Sequence, residues 1–137
     1  MKPLTSLLFS GALFAASGGC HSTEPEKPDF SCDSELSCGQ IEDLTQSALN
    51  GSADAALDLS WTSLDKGDKE EALYWAQIAM ENGSPAGKRN FAFLLSEKGD
   101  AKSLVRARYH LRALVSQGYE GADVLLGVVE RKLAERP

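Results

Sequence analysis

The sequence predicts an all-α protein in which helix pairs stack into a solenoid. Three glycines, Gly51, Gly83 and Gly118, each close one apolar helical segment and open the next, at intervals of 32 and 35 residues. The turn sequence Lys-Gly-Asp at 66–68 recurs at 98–100. A repeat of this length is typical of stacked helix pairs, because a single pair cannot bury its own apolar face. No stretch alternates between apolar and polar residues for long enough to predict a strand.

Length and composition predict one soluble domain behind a leader. The chain has 137 residues, of which 42% are hydrophobic and 25% charged. Its net charge of −6 argues against a nucleic-acid partner, which needs a surplus of Lys and Arg. The charge is uneven, since residues 21–86 hold 14 acidic and 3 basic side chains, whereas residues 87–137 hold 6 acidic and 10 basic ones. Solvated helix faces often carry such imbalance; the alternative is a polarised surface that attracts an oppositely charged partner.

The first residues predict export from the cytoplasm. Lys2 is followed by an apolar run at 4–16 that is too short to cross a bilayer and has the build of a signal peptide. The run ends in Ser17-Gly18-Gly19-Cys20, which resembles the lipobox of bacterial lipoproteins. That resemblance implies a signal peptide at 1–19 and lipid on the sulfur of Cys20, and His21 at the next position implies outer-membrane sorting. An ordinary secretory signal with a free Cys20 is the alternative.

A tether and a local disulfide are predicted next. Residues 20–36 are rich in Pro and charge and cannot bury a core, which is typical of a flexible linker. Within it and just beyond it, Cys32 and Cys38 are the two thiols left if Cys20 carries lipid, and an oxidising compartment favours their pairing. A loop this short contributes roughly 2 kcal/mol in the chain-entropy model. The folded domain then covers residues 37–137.

Capping signals predict six helices within that domain. Ser37 with Gln40 forms a capping box, Ser52 and Asp68 are N-caps, and Ser84 precedes a proline suited to the first helical position. The predicted helices are separated by Asn50-Gly51, Lys66-Gly67, Asn82-Gly83, Lys98-Gly99 and Gln117-Gly118. The apolar stripe expected on the second helix is Ala53, Ala56, Leu57, Ser60, Trp61 and Leu64. The stripes expected on the later helices are Ala72, Trp75, Ala76 and Ala79; Phe91, Leu94 and Leu95; Leu104, Ala107, Leu111, Leu114 and Val115; and Val124, Leu125, Val128, Val129 and Leu133.

These residues resemble the SEL-1-like repeats of the tetratricopeptide-type solenoids. The unit opening matches at Ala55, Leu59 and Ser60, at Gly87, Phe91 and Ala92, and at Ala122, Leu126 and Gly127. The second helix of the unit matches at Ala72, Trp75, Ala79 and Ala107, whereas His110 and Leu114 depart from it. The resemblance implies a right-handed α/α solenoid of about two repeats with flanking half-repeats. It also implies an adaptor or assembly role at the cell envelope.

Candidate catalytic groups are few. Ser63 and Lys66 have the Ser-x-x-Lys spacing of penicillin-recognising enzymes, but the other motifs of that class are missing and the chain is too short for the fold. His110 has no second His or Cys near it in sequence, so a packed side chain is favoured over a metal ligand. The sequence therefore predicts no enzyme, no cofactor, no metal and no small-molecule substrate. A cell-wall-active enzyme is the alternative.

The predicted binding residues are charged. Lys102, Arg106, Arg108, Arg112 and Tyr109 crowd the fifth helix, and Asp54, Asp58 and Asp65 form an acidic row on the second. A solvated outer face explains either set; the sharper hypothesis is a basic ridge and an acidic row that bind another protein. We expect an outer-membrane-anchored lipoprotein that faces the periplasm and acts as a scaffold or adaptor. Its partner is an envelope component or, in an immunity role, a toxin delivered to the periplasm.

Overall fold

The computed structural model describes residues 36–137, which form six α-helices and no strand. They are α1 (Cys38–Leu49), α2 (Ala53–Asp65), α3 (Lys69–Glu81), α4 (Pro85–Lys98), α5 (Ala101–Ser116) and α6 (Ala122–Ala134). The all-α prediction is confirmed, and every predicted helix is present. None of the helices in this described range is long and apolar enough to cross a membrane. The predictions for the signal peptide, Cys20, Cys32 and most of the tether lie outside the described residues.

Five of the six described helices begin where a side-chain cap satisfies free backbone N–H groups, whereas α6 begins after Gly121, which has no side-chain cap. Ser37 and Gln40 form the predicted reciprocal capping box at α1. Ser52, Asp68 and Ser84 cap α2, α3 and α4, each accepting a hydrogen bond from the backbone N–H three residues on. Asp100 caps α5 in the same way, and its hydrogen bonds from Ser103 hold the pKa of this carboxyl below its ordinary value. The connections are short because each cap starts a new helix directly after the last.

Each helix packs against the next one in sequence. In addition α1 contacts α3, α2 contacts α4, and α4 contacts α6, whereas α3 and α5 do not touch within residues 36–137. The larger core cluster is formed by α3, α4, α5 and α6, and its large buried side chains are Phe91, Leu95, Leu104, Leu111, Leu114 and Val129. A smaller cluster joins α1, α2 and α3 through Ala48, Ala55, Ala56, Leu59, Trp75 and Ala79. The helix common to both clusters is α3, which contributes Ala72 and Ala76 to the larger one and Trp75 and Ala79 to the smaller one.

Two close contacts fix α4 in place. The Oγ of Ser60 on α2 donates to the carbonyl oxygen of Ala72 on α3 at 2.8 Å, and the Nδ2 of Asn90 on α4 donates to the same Oγ at 2.7 Å. All three helices are therefore joined by one buried polar pair. Gly87 of α4 lies so close to α3 that a Cβ atom built on it would stand 2.5 Å from the Cβ of Ala79.

The predicted apolar stripes are right for α3 and α4 but only in part elsewhere. On α2 the buried residues are Ala55, Ala56, Leu59, Ser60 and Ser63. Trp61 was expected in the core but is 44% exposed, because the closely packed side of the helix carries small residues. Val115 and Val124 were also expected in the core, and both are exposed. They lie on the sides of α5 and α6 that no other described helix covers.

Candidate partner-binding surfaces

The acidic row predicted on α2 lies along one face of the helix, together with a tryptophan. A residue advances about 100° around an α-helix, so Asp54, Asp58, Trp61 and Asp65 fall within an arc of roughly 60°. All four are exposed. This arc points away from the small buried residues that pack α2 against its neighbours. A large aromatic ring thus lies between carboxylates on a surface open to a partner.

Part of this face forms one wall of a groove between α1 and α2. The groove has a volume of about 1010 Å³. It is lined by Leu36, Gln40, Asp43, Leu44, Ser47, Asp58, Trp61, Thr62, Asp65 and Lys66. Three carboxylates face one ammonium group there, and the apolar surface comes from two leucines and the indole ring. The groove is amphipathic and acidic, and Asp54 lies outside it.

The groove carboxylates are not neutralised by neighbouring side chains. Within residues 36–137 the ion pairs are Lys98–Glu70 at 2.9 Å, Arg112–Glu130 at 3.0 Å and Lys132–Glu97 at 3.5 Å. None of them involves Asp43, Asp58 or Asp65. The negative potential of the groove is therefore available to an incoming cation.

The basic residues predicted as a ridge on α5 lie on more than one face of the helix. Two residues along a helix amount to about 200° of rotation, so Arg106 and Arg108 point to nearly opposite flanks. Arg106 extends over the ring of Phe91 on α4, with 5.3 Å between the guanidinium carbon and the ring centre. Arg112 pairs with Glu130 on α6. Tyr109 is 72% exposed and lies between these two flanks.

Arg106 instead belongs to a cluster between α4 and α5. The ring of His110 packs edge-on against Phe91 with 5.4 Å between ring centres, and Tyr109 packs edge-on against His110 at 5.3 Å. Burial lowers the pKa of His110, and the positive charges of Arg106 and Lys88 lower it further. This cationic cluster is Lys88, Arg106 and His110 around the buried ring of Phe91. The sequence analysis did not include Lys88, because it lies on a different helix.

The candidate catalytic pair does not form an open site. Ser63 is buried on the packed side of α2, whereas Lys66 is exposed at the C-cap. No group of three or more His, Cys, Asp or Glu side chains in the described residues is arranged to hold a metal ion. Cys38 is disulfide-bonded, and its partner lies outside the described range, so the pairing with Cys32 stays a prediction.

Comparisons with models of protein families, with curated proteins and with solved structures find no match to this chain.

Proposed function

We propose that this chain is a lipid-anchored protein of the bacterial envelope that binds another protein through its helical domain. In this proposal the six helices form a SEL-1-like solenoid facing the periplasm, and Cys20 carries the lipid. The order of helix contacts supports the solenoid, because within residues 36–137 each helix packs on the next one and the contacts between alternate helices follow chain order, α1 with α3, α2 with α4 and α4 with α6. The capped helices and short turns agree with a repeat scaffold.

The groove between α1 and α2 carries the proposal of protein binding. It combines unpaired carboxylates with an exposed Trp61, and protein interfaces favour aromatic anchors that are surrounded by polar groups. A helix or extended segment that displays Lys or Arg beside apolar residues matches both features. Cations would also pack favourably on the indole face. In this proposal the partner is an envelope component or a toxin delivered to the periplasm.

The placement of Ser63 favours binding over catalysis. A nucleophilic serine must reach its substrate, and this side chain is only 4% exposed. Lys66 is a solvated cation at the end of α2. The cell-wall enzyme alternative therefore gains no support from its candidate residues.

Tryptophan fluorescence tests the groove directly. Trp75 is buried at 7% exposure, so a ligand in the groove should change the emission of Trp61 above all. A synthetic amphipathic peptide of Lys and Leu should shift this emission, and a Glu and Leu peptide of equal length should not. Binding should weaken between about 0.01 M and about 1 M salt, as the Debye length falls from roughly 30 to 3 Å.

A charge-matched pair of variants separates the groove from net charge. Replacing Asp43, Asp58 and Asp65 by Asn should lower the affinity for the basic peptide roughly tenfold, because each exposed charge contributes about 0.5 kcal/mol to binding. The control replaces Glu42, Glu120 and Glu135 by Gln and should bind almost normally. An equal loss of affinity in both variants would show that only net charge matters and would reject the groove as the binding site. The same variants then serve as baits for envelope proteins, where the true partner must show the same preference.

A further inference from the structure

The cationic cluster between α4 and α5 has positive charges that face one another without an anion. Lys88 comes from α4, whereas Arg106 and His110 come from α5. None of the ion pairs found within residues 36–137 includes them. Arg106 lies over a ring that is only 1% exposed, so the guanidinium is directed onto this spot. The cluster is thus a positive site that the domain itself leaves unmatched.

Arg106 and His110 both pack against the buried ring of Phe91, at 5.3 Å from the guanidinium carbon and 5.4 Å from the imidazole centre to the ring centre. Burial lowers the pKa of His110 most, and the positive charges of Arg106 and of Lys88 on α4 lower it further. The other helix packed against α5 is α6, and its ion pairs with α5 and α4 engage Arg112 and Glu97 and not this cluster. An arriving carboxylate would be attracted by Arg106 and Lys88, could accept charge-assisted hydrogen bonds from them, and would favour the protonated form of His110.

We propose that this cluster binds a carboxylate of an acidic peptide segment on a partner protein. A short segment is favoured over a polyanion, because the chain carries a net charge of −6 and long polyanions would meet its acidic surfaces. Tyr109, exposed beside His110, supplies an aromatic contact for the same segment. The inference rests on the proposed role in protein binding but uses a different surface. The groove lies on α1 and α2, and the two sites share no residue.

Binding at this site should depend on pH with a definite sign. In the free protein burial and the nearby positive charges hold the pKa of His110 below its ordinary value. A bound carboxylate raises that pKa, and the complex therefore takes up a proton between the two values. Affinity rises as pH falls through this window. Each unit of pKa increase corresponds to a tenfold gain in affinity between the high-pH and low-pH limits.

NMR titration of the histidine ring protons tests the site. The chain has two histidines, and the signal of His110 is identified by its loss in His110→Gln, while His21 serves as an internal reference. A synthetic peptide of Glu and Ser should raise the pKa of His110 and leave that of His21 unchanged. A Gln and Ser peptide should move neither. An unchanged His110 pKa with saturating acidic peptide would overturn the proposal.

Variants of the two arginines provide the matched control. Arg106→Gln should raise the pKa of His110 in the free protein, because a repelling charge is removed. It should also lower the affinity for the acidic peptide several-fold. Arg108→Gln makes the same change on the opposite flank of α5 and should do neither. Lys88→Gln repeats the test from α4 should Arg106→Gln lower stability. Equal effects of Arg106→Gln and Arg108→Gln would overturn the proposal.

The groove and the cluster can fail separately. The Asn variant of the groove should bind the acidic peptide at least as well as the wild type does. If the basic peptide does not bind in the groove while the acidic peptide raises the pKa of His110, the proposed function of the groove is rejected and the proposed site at the cationic cluster is retained.

Discussion

Replacing Gly87 with alanine tests how closely α4 packs on α3. The new Cβ would lie 2.5 Å from the Cβ of Ala79 and 2.9 Å from two backbone atoms of α3, all shorter than real contacts allow. Backbone atoms cannot swing aside as a long side chain can, so the helices must separate. We expect a cost near the upper end of the range for overpacking, about 3 kcal/mol. The gain from replacing a helical Gly by Ala is about 1 kcal/mol, so the net loss is about 2 kcal/mol.

Gly127→Ala provides the matched control. Gly127 lies in α6, and a Cβ there would meet nothing within 4 Å. Only the helix-propensity gain remains, so Gly127→Ala should raise the stability by about 1 kcal/mol. For a domain of this size, Gly87→Ala should lower Tm by roughly 8–16 °C, and Gly127→Ala should raise it by roughly 4–8 °C. Thermal unfolding followed by circular dichroism measures both. If both substitutions stabilise the protein equally, the close approach of α3 and α4 is refuted.

Three further predictions concern the buried polar pair and the cysteines. Ser60→Ala removes both hydrogen bonds of the pair and should lower the free energy of unfolding, measured in urea, by about 1–3 kcal/mol. Asn90→Ala should lower it by less in the Ser60→Ala protein than in the wild type, and additive losses would rule out the coupling. Cys20 should incorporate a fatty-acid probe in cells that Cys20→Ala does not, and equal, unlabelled, soluble protein in both would remove the anchor. Mass spectrometry of the unreduced protein should find Cys32 linked to Cys38, whereas two alkylatable thiols in periplasmic material would disprove the bond.

The helix boundaries could be predicted because their causes are local. Ser37 and Gln40 satisfy N–H groups within the same turn, so four consecutive residues are enough to predict the capping box. Ser84 followed by Pro85 gives the same kind of local signal for α4. The left-handed backbone at Gly99 ends that helix, with φ at 72°. None of these features depends on what the helix later packs against.

The buried face of α2 could not be predicted from apolar periodicity alone. That periodicity favoured Trp61 and Leu57 as core residues, but the buried arc centres on Leu59 and Ser63, about 100° further round. The side of α2 that packs against α1, α3 and α4 carries mostly small residues. Small side chains permit such close contact, and the bulky indole is left at the groove. Burial on α2 is therefore set by the neighbours and not by hydrophobicity.

The faces on which the charged residues lie follow from their spacing in the sequence. Arg106 and Arg108 are two residues apart, and two residues of α-helix turn by about 200°, so they cannot share one face. By the same arithmetic Asp54, Asp58 and Asp65 share a face of α2, and all three are exposed there. Counting charges within a segment gives the sign of a region. Only the helical angle assigns those charges to a surface.

Which charges can meet a partner depends on which ones the fold has already paired. Glu70, Glu97 and Glu130 are engaged by cations of other helices, so these acids add little to the potential seen from outside. Within residues 36–137 the groove carboxylates form no such ion pair, and α1 contains no basic residue while α2 has none before its C-cap. Lys88, Arg106 and His110 likewise take part in none of these ion pairs. Charge of opposite sign is thus left without an ion pair at two separate places in the described residues, and these are the places where we propose that partners of different chemistry bind.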